Sequence, residues 1–236
     1  MFVANFKLKS AVQKLLSETR QILDFAELHP TREMWKAALH ETVAYIQTNM
    51  SDAIGVWTPR QVFDVALRHV DVSGHFLEFG VFRGGSIRYI ATQRQNVVVH
   101  GFDSFEGLPE QWAGFALDKG AFGRAGRLPK VPRNVRLHKG WFDKTLPEWV
   151  QANEGPLSFI HIDCDLYSST KTIFEQLSSR FVVGTVIVFD DYFNYPNWQN
   201  HGIKAFREFA AERNVTYDYL AYAKMQAAAK IRRIGS

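Results

Sequence analysis

The chain of 236 residues has one cysteine, Cys164, so no internal disulfide can hold it together and a packed core has to do so. It has no apolar run near the ~20 residues that a membrane span requires. It also lacks low-complexity tracts and long runs of one charge. The formal charge of +4 is modest. The excess gathers in Lys224, Lys230, Arg232 and Arg233 and in a loop with Arg124, Arg127, Lys130 and Arg133. A solvated surface or a small anionic ligand accounts for these residues, and no nucleic-acid partner is indicated. The opening MFVANFKLKS has no apolar signal core. With the lone cysteine, this makes a cytoplasmic protein the expectation.

The length suits one α/β domain with an elaboration. Up to about residue 72 the pattern is helical, and we expect residues 1–72 to form an N-terminal helical extension to a domain over 73–236. A first apolar stripe runs from Ser10 to Leu28 and stops at His29-Pro30. Thr31 can cap a second helix with Trp35, Ala38, Leu39, Val43 and Ile46 on one face. Thr58, Pro59 and Gln61 form the clearest start signal, an N-cap, a first-turn proline and a capping box. From His75 onward strands alternate with helices. The apparent strands are 76–79, 97–102, 135–138, 157–162, 185–189, 216–220 and 225–231. Repeated β-then-α units imply a doubly wound, Rossmann-like parallel sheet with ligands beyond the carboxyl ends of its strands. The aperiodic segment Gly107–Asn134 interleaves Trp112, Phe115 and Phe122 with Arg124 and Arg127, which suits a lid.

Acids stand where such strands end. The run LSFIHI stops on Asp163 and Asp165, and the next buried strand stops on Asp190 and Asp191. Strands in a sheet lie about 4.8 Å apart, so neighbours would bring four carboxylates together. Carboxylates gathered in a buried place call for a cation, and a divalent metal fits. Earlier, HFLEFGVFRGGS is a strand followed by Gly80, Gly84 and Gly85, but Phe82 stands where a dinucleotide fingerprint has its second glycine. Glu78 lies near that strand end and Asp103 closes the next. A carboxylate at the second position accepts a ribose diol. With Glu78 free to meet an ammonium group, the pair suggests S-adenosylmethionine rather than a diphosphate. Trp141 or Phe142 could border its adenine, although either could equally be a core aromatic.

Five blocks, LEFGVFRGGS, GFDSFEGLP, GWFDKTLP, HIDCDLYSST and VFDDY, recur in a fixed order. In these the chain resembles the macrocin O-methyltransferase (TylF-like) family, which includes noviose O-methyltransferase, from about Gly74 onward. The resemblance implies a seven-stranded sheet with its last strand antiparallel, a bound Mg²⁺, and methyl transfer from S-adenosylmethionine to a hydroxyl, often on a natural-product sugar. Carried over by motif, Asp163, Asp190 and Asp191 hold the metal, Asp165 is the general base, and Glu78, Gly80, Ser86, Asp103 and Ser104 line the cofactor, with Asp163 also beside it. Some relatives are thought to use a histidine base, and His201, just after the second acidic strand, could serve. Cys164 is expected to point into the sheet, and His161, His100 and His138 to be core or supporting residues. A small-molecule hydroxyl acceptor and a homo-oligomer are the expected partners.

Three rivals remain. A glycosyltransferase uses Asp-x-Asp to hold a metal and a nucleotide diphosphate, but leaves the glycine turn, Asp103 and Asp190-Asp191 without a role. A catalytically silent cofactor-binding module would be expected to have lost some of the four acids. A catechol-type methyltransferase would be expected to carry Asn after the second metal acid, where this chain has Asp191-Tyr192.

Overall fold

The computed structural model describes residues 17–18, 29–112 and 117–235. The stripe expected over Ser10–Leu28, apart from residues 17 and 18, and the lid residue Phe115 lie outside the described residues.

Eight strands form one sheet: β1 (Ile54–Gly55), β2 (His75–Phe79), β3 (Val99–Asp103), β4 (Val135–Lys139), β5 (Leu157–Ile162), β6 (Val186–Phe189), β7 (Thr216–Ala223) and β8 (Gln226–Arg233). Their order is β1-β7-β8-β6-β5-β2-β3-β4. Only β8 runs against its neighbours, pairing antiparallel with β6 and β7. The seven expected strands are all present, with the last antiparallel. The eighth, β1, is two residues long and pairs parallel with β7 at Ala221 and Tyr222. It is too short to show any period.

The six described helices are α1 (Pro30–Asn49), α2 (Pro59–Arg68), α3 (Gly85–Gln93), α4 (Phe142–Ala152), α5 (Tyr167–Leu177) and α6 (Gly202–Glu212). Successive strand residues face opposite sides, and both sides are covered. Leu77, Phe79, Ile160 and Ile187 pack under α4, α5 and α6, where Phe174 stacks on Phe209 at 4.7 Å. Phe76, Phe159, Val186 and Val188 pack with Val62, Phe63 and Ala66 of α2 and Ile87 and Ile90 of α3. Burial on both faces explains the near-continuous apolar runs of β5 and β6.

The start of α2 is as expected, with Thr58 capping Gln61 and Gln61 answering. The start of α1 is a correction. Pro30 takes the first helical turn, so His29 is the cap and its Nδ1 accepts the Thr31 amide at 3.2 Å. Of its expected inner face only Ala38 is buried; Trp35, Leu39 and Val43 are exposed. No described helix is long and apolar enough to cross a membrane.

Candidate active site

The strand order reverses between β2 and β5: β3 and β4 lie on one side, β6 and β8 on the other. Chains leaving neighbouring strands in opposite directions open a crevice at that point. Gly80 sits at its floor with φ +89°, and a Cβ there would lie 1.7 Å from the Asp163 carbonyl oxygen. Only glycine fits both the conformation and the approach. The Asp163 amide donates to Phe79 at 2.8 Å, and the Gly80 amide to Phe102 at 3.0 Å, so the turn is tied to both neighbours.

Asp103 holds the rest of this turn. Its Oδ2 accepts the amides of Val81 and Phe82 at 2.8 and 2.7 Å, and its Oδ1 accepts that of Phe105 at 2.6 Å. A carboxylate has about four lone-pair sites, so three are committed to backbone. Asp103 lines the cavity, but as a clamp on the glycine turn as much as a free acceptor.

Glu78 stands elsewhere than its sequence position suggests. It is fully buried and absent from the described cavity wall, with Oε1 accepting from the Ser86 hydroxyl and Oε2 facing His161 Nδ1, both at 3.0 Å. Burial raises its pKa above the ordinary carboxylate value. Ser86 is thus engaged with Glu78 and is not on the wall either. Ser104, Trp141 and Phe142 do line the cavity, and so does Gly80.

The four aspartates converge as the strand ends predict. Leu166 donates its amide to Cys164 at 2.6 Å around Asp165, whose φ is +63°. That closure is a γ-turn of the rare, strained kind, and strain of this sort collects at functional sites. It turns the Asp165 carboxylate into the cavity. Two sets of ligating atoms lie within 4.8 Å of one another: Asp163, Asp165 and Asp191, and His161, Asp163 and Asp190. The motif-based metal set of Asp163, Asp190 and Asp191 is therefore brought together, but divided across two sets that share Asp163.

Burial is the main force on these acids, and their mutual repulsion adds to it. Both push Asp163 and Asp191 well above the ordinary range. Asp165 is raised to about 6 by burial and by the Asp190 and Asp103 charges, against a hydrogen bond shared with Asp191. A hydrogen bond between two carboxyls needs one proton between them, so this pair holds one. Hard carboxylate oxygens in this number suit a divalent cation, and a buried nitrogen, His161 Nε2, has no hydrogen-bond partner beside them. The residues fit a metal.

The cavity these groups enclose measures about 700 Å³. Among the described residues its wall carries six aspartates, at 103, 143, 163, 165, 190 and 191, and no lysine or arginine. Trp112 and Phe122 of the 107–134 segment also face it. Cys164 reaches its edge but is nearly buried, bonded to Thr170 and raised far above an ordinary thiol by burial. His201 is not on the wall. It is buried with Asn197 Nδ2 at 3.3 Å and the rings of Tyr195 and Trp112 near it. Of the basic residues noted in the sequence, Lys230 is paired with Asp71 at 2.7 Å and Arg232 with Asp218 at 2.7 Å.

Sequence reasoning missed Gln226, whose amide nitrogen donates to Asp190 Oδ1, and Met225, which lines the cavity and whose carbonyl accepts the Tyr192 amide. The signal was present: a lone amide ahead of the run Ala227-Ala228-Ala229 in a buried strand.

Residues 77–192 match the family described as a methyltransferase domain. The chain is 35% identical over 150 residues to 8-demethyl-8-(2,3-dimethoxy-alpha-L-rhamnosyl)-tetracenomycin-C 4'-O-methyltransferase of Streptomyces olivaceus, covering 51% of this chain and 54% of that protein. It is 33% identical over 148 residues to demethyldecarbamoylnovobiocin O-methyltransferase of Streptomyces niveus, covering 53% and 55%. The chain thus spans about half the length of the curated relatives it matches. Among solved structures, the O-methyltransferase NovP aligns with a TM-score of 0.54 at 26% identity, over 74% of this chain and 78% of that one. The calicheamicin methyltransferase CalS11 aligns with a TM-score of 0.60 at 22% identity, over 72% and 77%, which shows the shared fold.

Proposed function

We propose that the chain, whose residues 77–192 match the family described as a methyltransferase domain, is an S-adenosylmethionine-dependent O-methyltransferase. Its acceptor is a hydroxyl on a small natural product, most simply a sugar, and a divalent cation, Mg²⁺ or a close equivalent, sits among its acids. The observation that carries this reading is the cavity at the switch point, walled by six aspartates and by no described lysine or arginine. A wall of that charge favours a sulfonium and a metal ion. It gives no cationic side chain to a nucleotide diphosphate, which weighs against the glycosyltransferase.

S-adenosylmethionine, when bound, supplies a methyl group already activated by its sulfonium. A divalent cation among the acids would lower the pKa of an acceptor hydroxyl. The chain's own residues do the rest. Gly80 and Asp103 shape the turn beneath the cofactor, and Trp141 and Phe142 offer ring faces beside it. Asp165, raised to about 6, is poised as a general base near neutral pH and takes the acceptor's proton. Trp112 and Phe122 cover the acceptor side and reduce access of water.

The tetracenomycin relative is by name a 4'-O-methyltransferase of a dimethoxy-rhamnosyl compound, which supports a sugar hydroxyl here. Isothermal titration with S-adenosylhomocysteine and, separately, with UDP-glucose tests the proposal. Binding of S-adenosylhomocysteine alone is expected. Binding of UDP-glucose alone would overturn it in favour of glycosyl transfer.

A further inference from the structure

His161 carries one of the buried nitrogens without a hydrogen-bond partner among the described residues. It is fully buried within β5, with its ring edge-on to Phe63 of α2 at 4.8 Å. In the strand register it stands directly opposite Glu78 of β2. Its Nδ1 lies 3.0 Å from Glu78 Oε2, and Glu78 in turn takes the Ser86 hydroxyl. With Nδ1–H donating to the carboxylate, Nε2 carries a free lone pair on the opposite side of the ring. That nitrogen has no hydrogen-bond partner. The nearest charged atom ahead of it is Asp190 Oδ1 at 4.0 Å, too far for a hydrogen bond. Asp163 completes the group, all ligating atoms falling within 4.8 Å.

A gap of this size between an imidazole nitrogen and a carboxylate oxygen matches two ligands of one ion. At bond lengths of ~2.1 Å, adjacent ligands on one octahedral ion stand about 3.0 Å apart and opposite ligands about 4.2 Å apart, so the 4.0 Å gap suits a nearly opposite pair. The surroundings have the other marks of a metal histidine. Its far nitrogen is fixed by a buried carboxylate, which sets the tautomer and raises ligand basicity. The facing carboxylate, Asp190, is itself steadied by the Gln226 amide.

We propose that His161 is a metal ligand, so that the cation is held by one imidazole nitrogen together with Asp163 and Asp190, with Glu78 as the residue that positions the imidazole. The proposal rests on the reading of the acid cluster as a cation site, and goes beyond the all-oxygen set of Asp163, Asp190 and Asp191. It changes which metal the site prefers. Oxygen-only sites suit Mg²⁺, whereas an imidazole shifts preference toward Mn²⁺, Co²⁺ and Zn²⁺. Glu78 also ceases to be a cofactor contact and becomes the anchor of a ligand.

The test is pulsed electron paramagnetic resonance of the full chain loaded with Mn²⁺, without cofactor or acceptor. Modulation from a directly bound ¹⁴N is expected, and it should change to the ¹⁵N pattern when only histidine is ¹⁵N-labelled. His161→Gln should bind Mn²⁺ at least tenfold more weakly and lose the nitrogen signal. Glu78→Gln should keep the signal with a several-fold loss of affinity, which a merely structural role for Glu78 would not produce. Tight Mn²⁺ binding with no nitrogen modulation would overturn the role of His161 while leaving the cation site standing. Failure of the wild-type chain to bind Mn²⁺ at all would overturn both. The labelling experiment uses the wild-type chain, so it decides the matter even if His161→Gln does not fold.

Discussion

Replacing Asp165 with asparagine should stabilise the metal-free protein at neutral pH while removing its activity. Asp165 ordinarily would titrate near 3.8, but burial and the facing charges of Asp190 and Asp103 raise it to about 6, with Asp191 hydrogen-bonded to it. Two units at 1.36 kcal/mol each amount to about 3 kcal/mol of penalty for holding that carboxylate ionised in the fold. The folded state keeps the proton longer than the unfolded chain does. Its contribution is therefore fully present below about pH 4 and is lost as pH rises through about 6. The burial-raised Asp163 and Asp191 act in the same direction. Asparagine tolerates the positive φ at this turn nearly as well as aspartate, so the backbone is spared. In chelator, Asp165→Asn should equal the wild type at pH 4 and exceed it at pH 7.5 by about 3 kcal/mol. For a chain of this length that is roughly 6–12 °C in Tm. Differential scanning calorimetry across this range reads it directly. The reasoning fails if wild-type stability rises between pH 5 and 7.5 in chelator, or if the variant is no more stable at pH 7.5. Turnover should fall by a factor of roughly 10²–10⁴ if Asp165 is the base.

Gly80→Ala must adopt φ +89° and bring a Cβ to 1.7 Å from the Asp163 carbonyl. It should cost about 3 kcal/mol or more in denaturant unfolding, with part of the shift relieved if Asp163 moves and cation binding weakens. Phe174→Ala empties the stack between Phe206 and Phe209, at 5.7 and 4.7 Å. About 3–5 kcal/mol is expected by the same assay, with Kd for S-adenosylhomocysteine unchanged. Trp141 is 38% exposed at the cavity wall. Trp141→Ala should leave stability within about 0.5 kcal/mol and raise the S-adenosylhomocysteine Kd by up to roughly tenfold, as loss of an aromatic stack would. Calorimetry showing an unchanged Kd would remove Trp141 from the cofactor side.

The acids were legible because strand ends are legible. An apolar run buried on both faces ends where its first charge appears, and that rule places Asp103, Asp163 and Asp190 at the carboxyl edge without knowledge of register. Register is what the rule leaves out. Glu78 lies two residues before Gly80, and His161 two before Asp163, so aligning the two strand ends puts the pair side by side. Read singly, Glu78 looked like an acid facing the pocket and His161 like a core residue. Asp103 was found but its engagement with three backbone amides was not, because hydrogen bonds to a turn depend on how that turn folds back. The apolar stripe of α1 misled for a different reason. Helical spacing predicts that Trp35, Leu39 and Val43 share a face, and says nothing of what that face meets.

Asp190 and Asp191 follow the end of β6 at Phe189 and both line the cavity, yet they serve different neighbours. Asp190 meets His161 and Gln226, and Asp191 meets Asp165. Asp163, at the end of the adjoining strand, belongs to both sets. A cation held at the His161 side would draw Asp163 toward itself and remove negative charge from beside Asp165, lowering the pKa of that carboxyl. The same event would release the proton shared with Asp191. Metal binding and readiness of the base are therefore coupled through one carboxylate, and cation uptake in unbuffered solution near pH 6 should release protons. An uptake that released none would separate the two halves of the site.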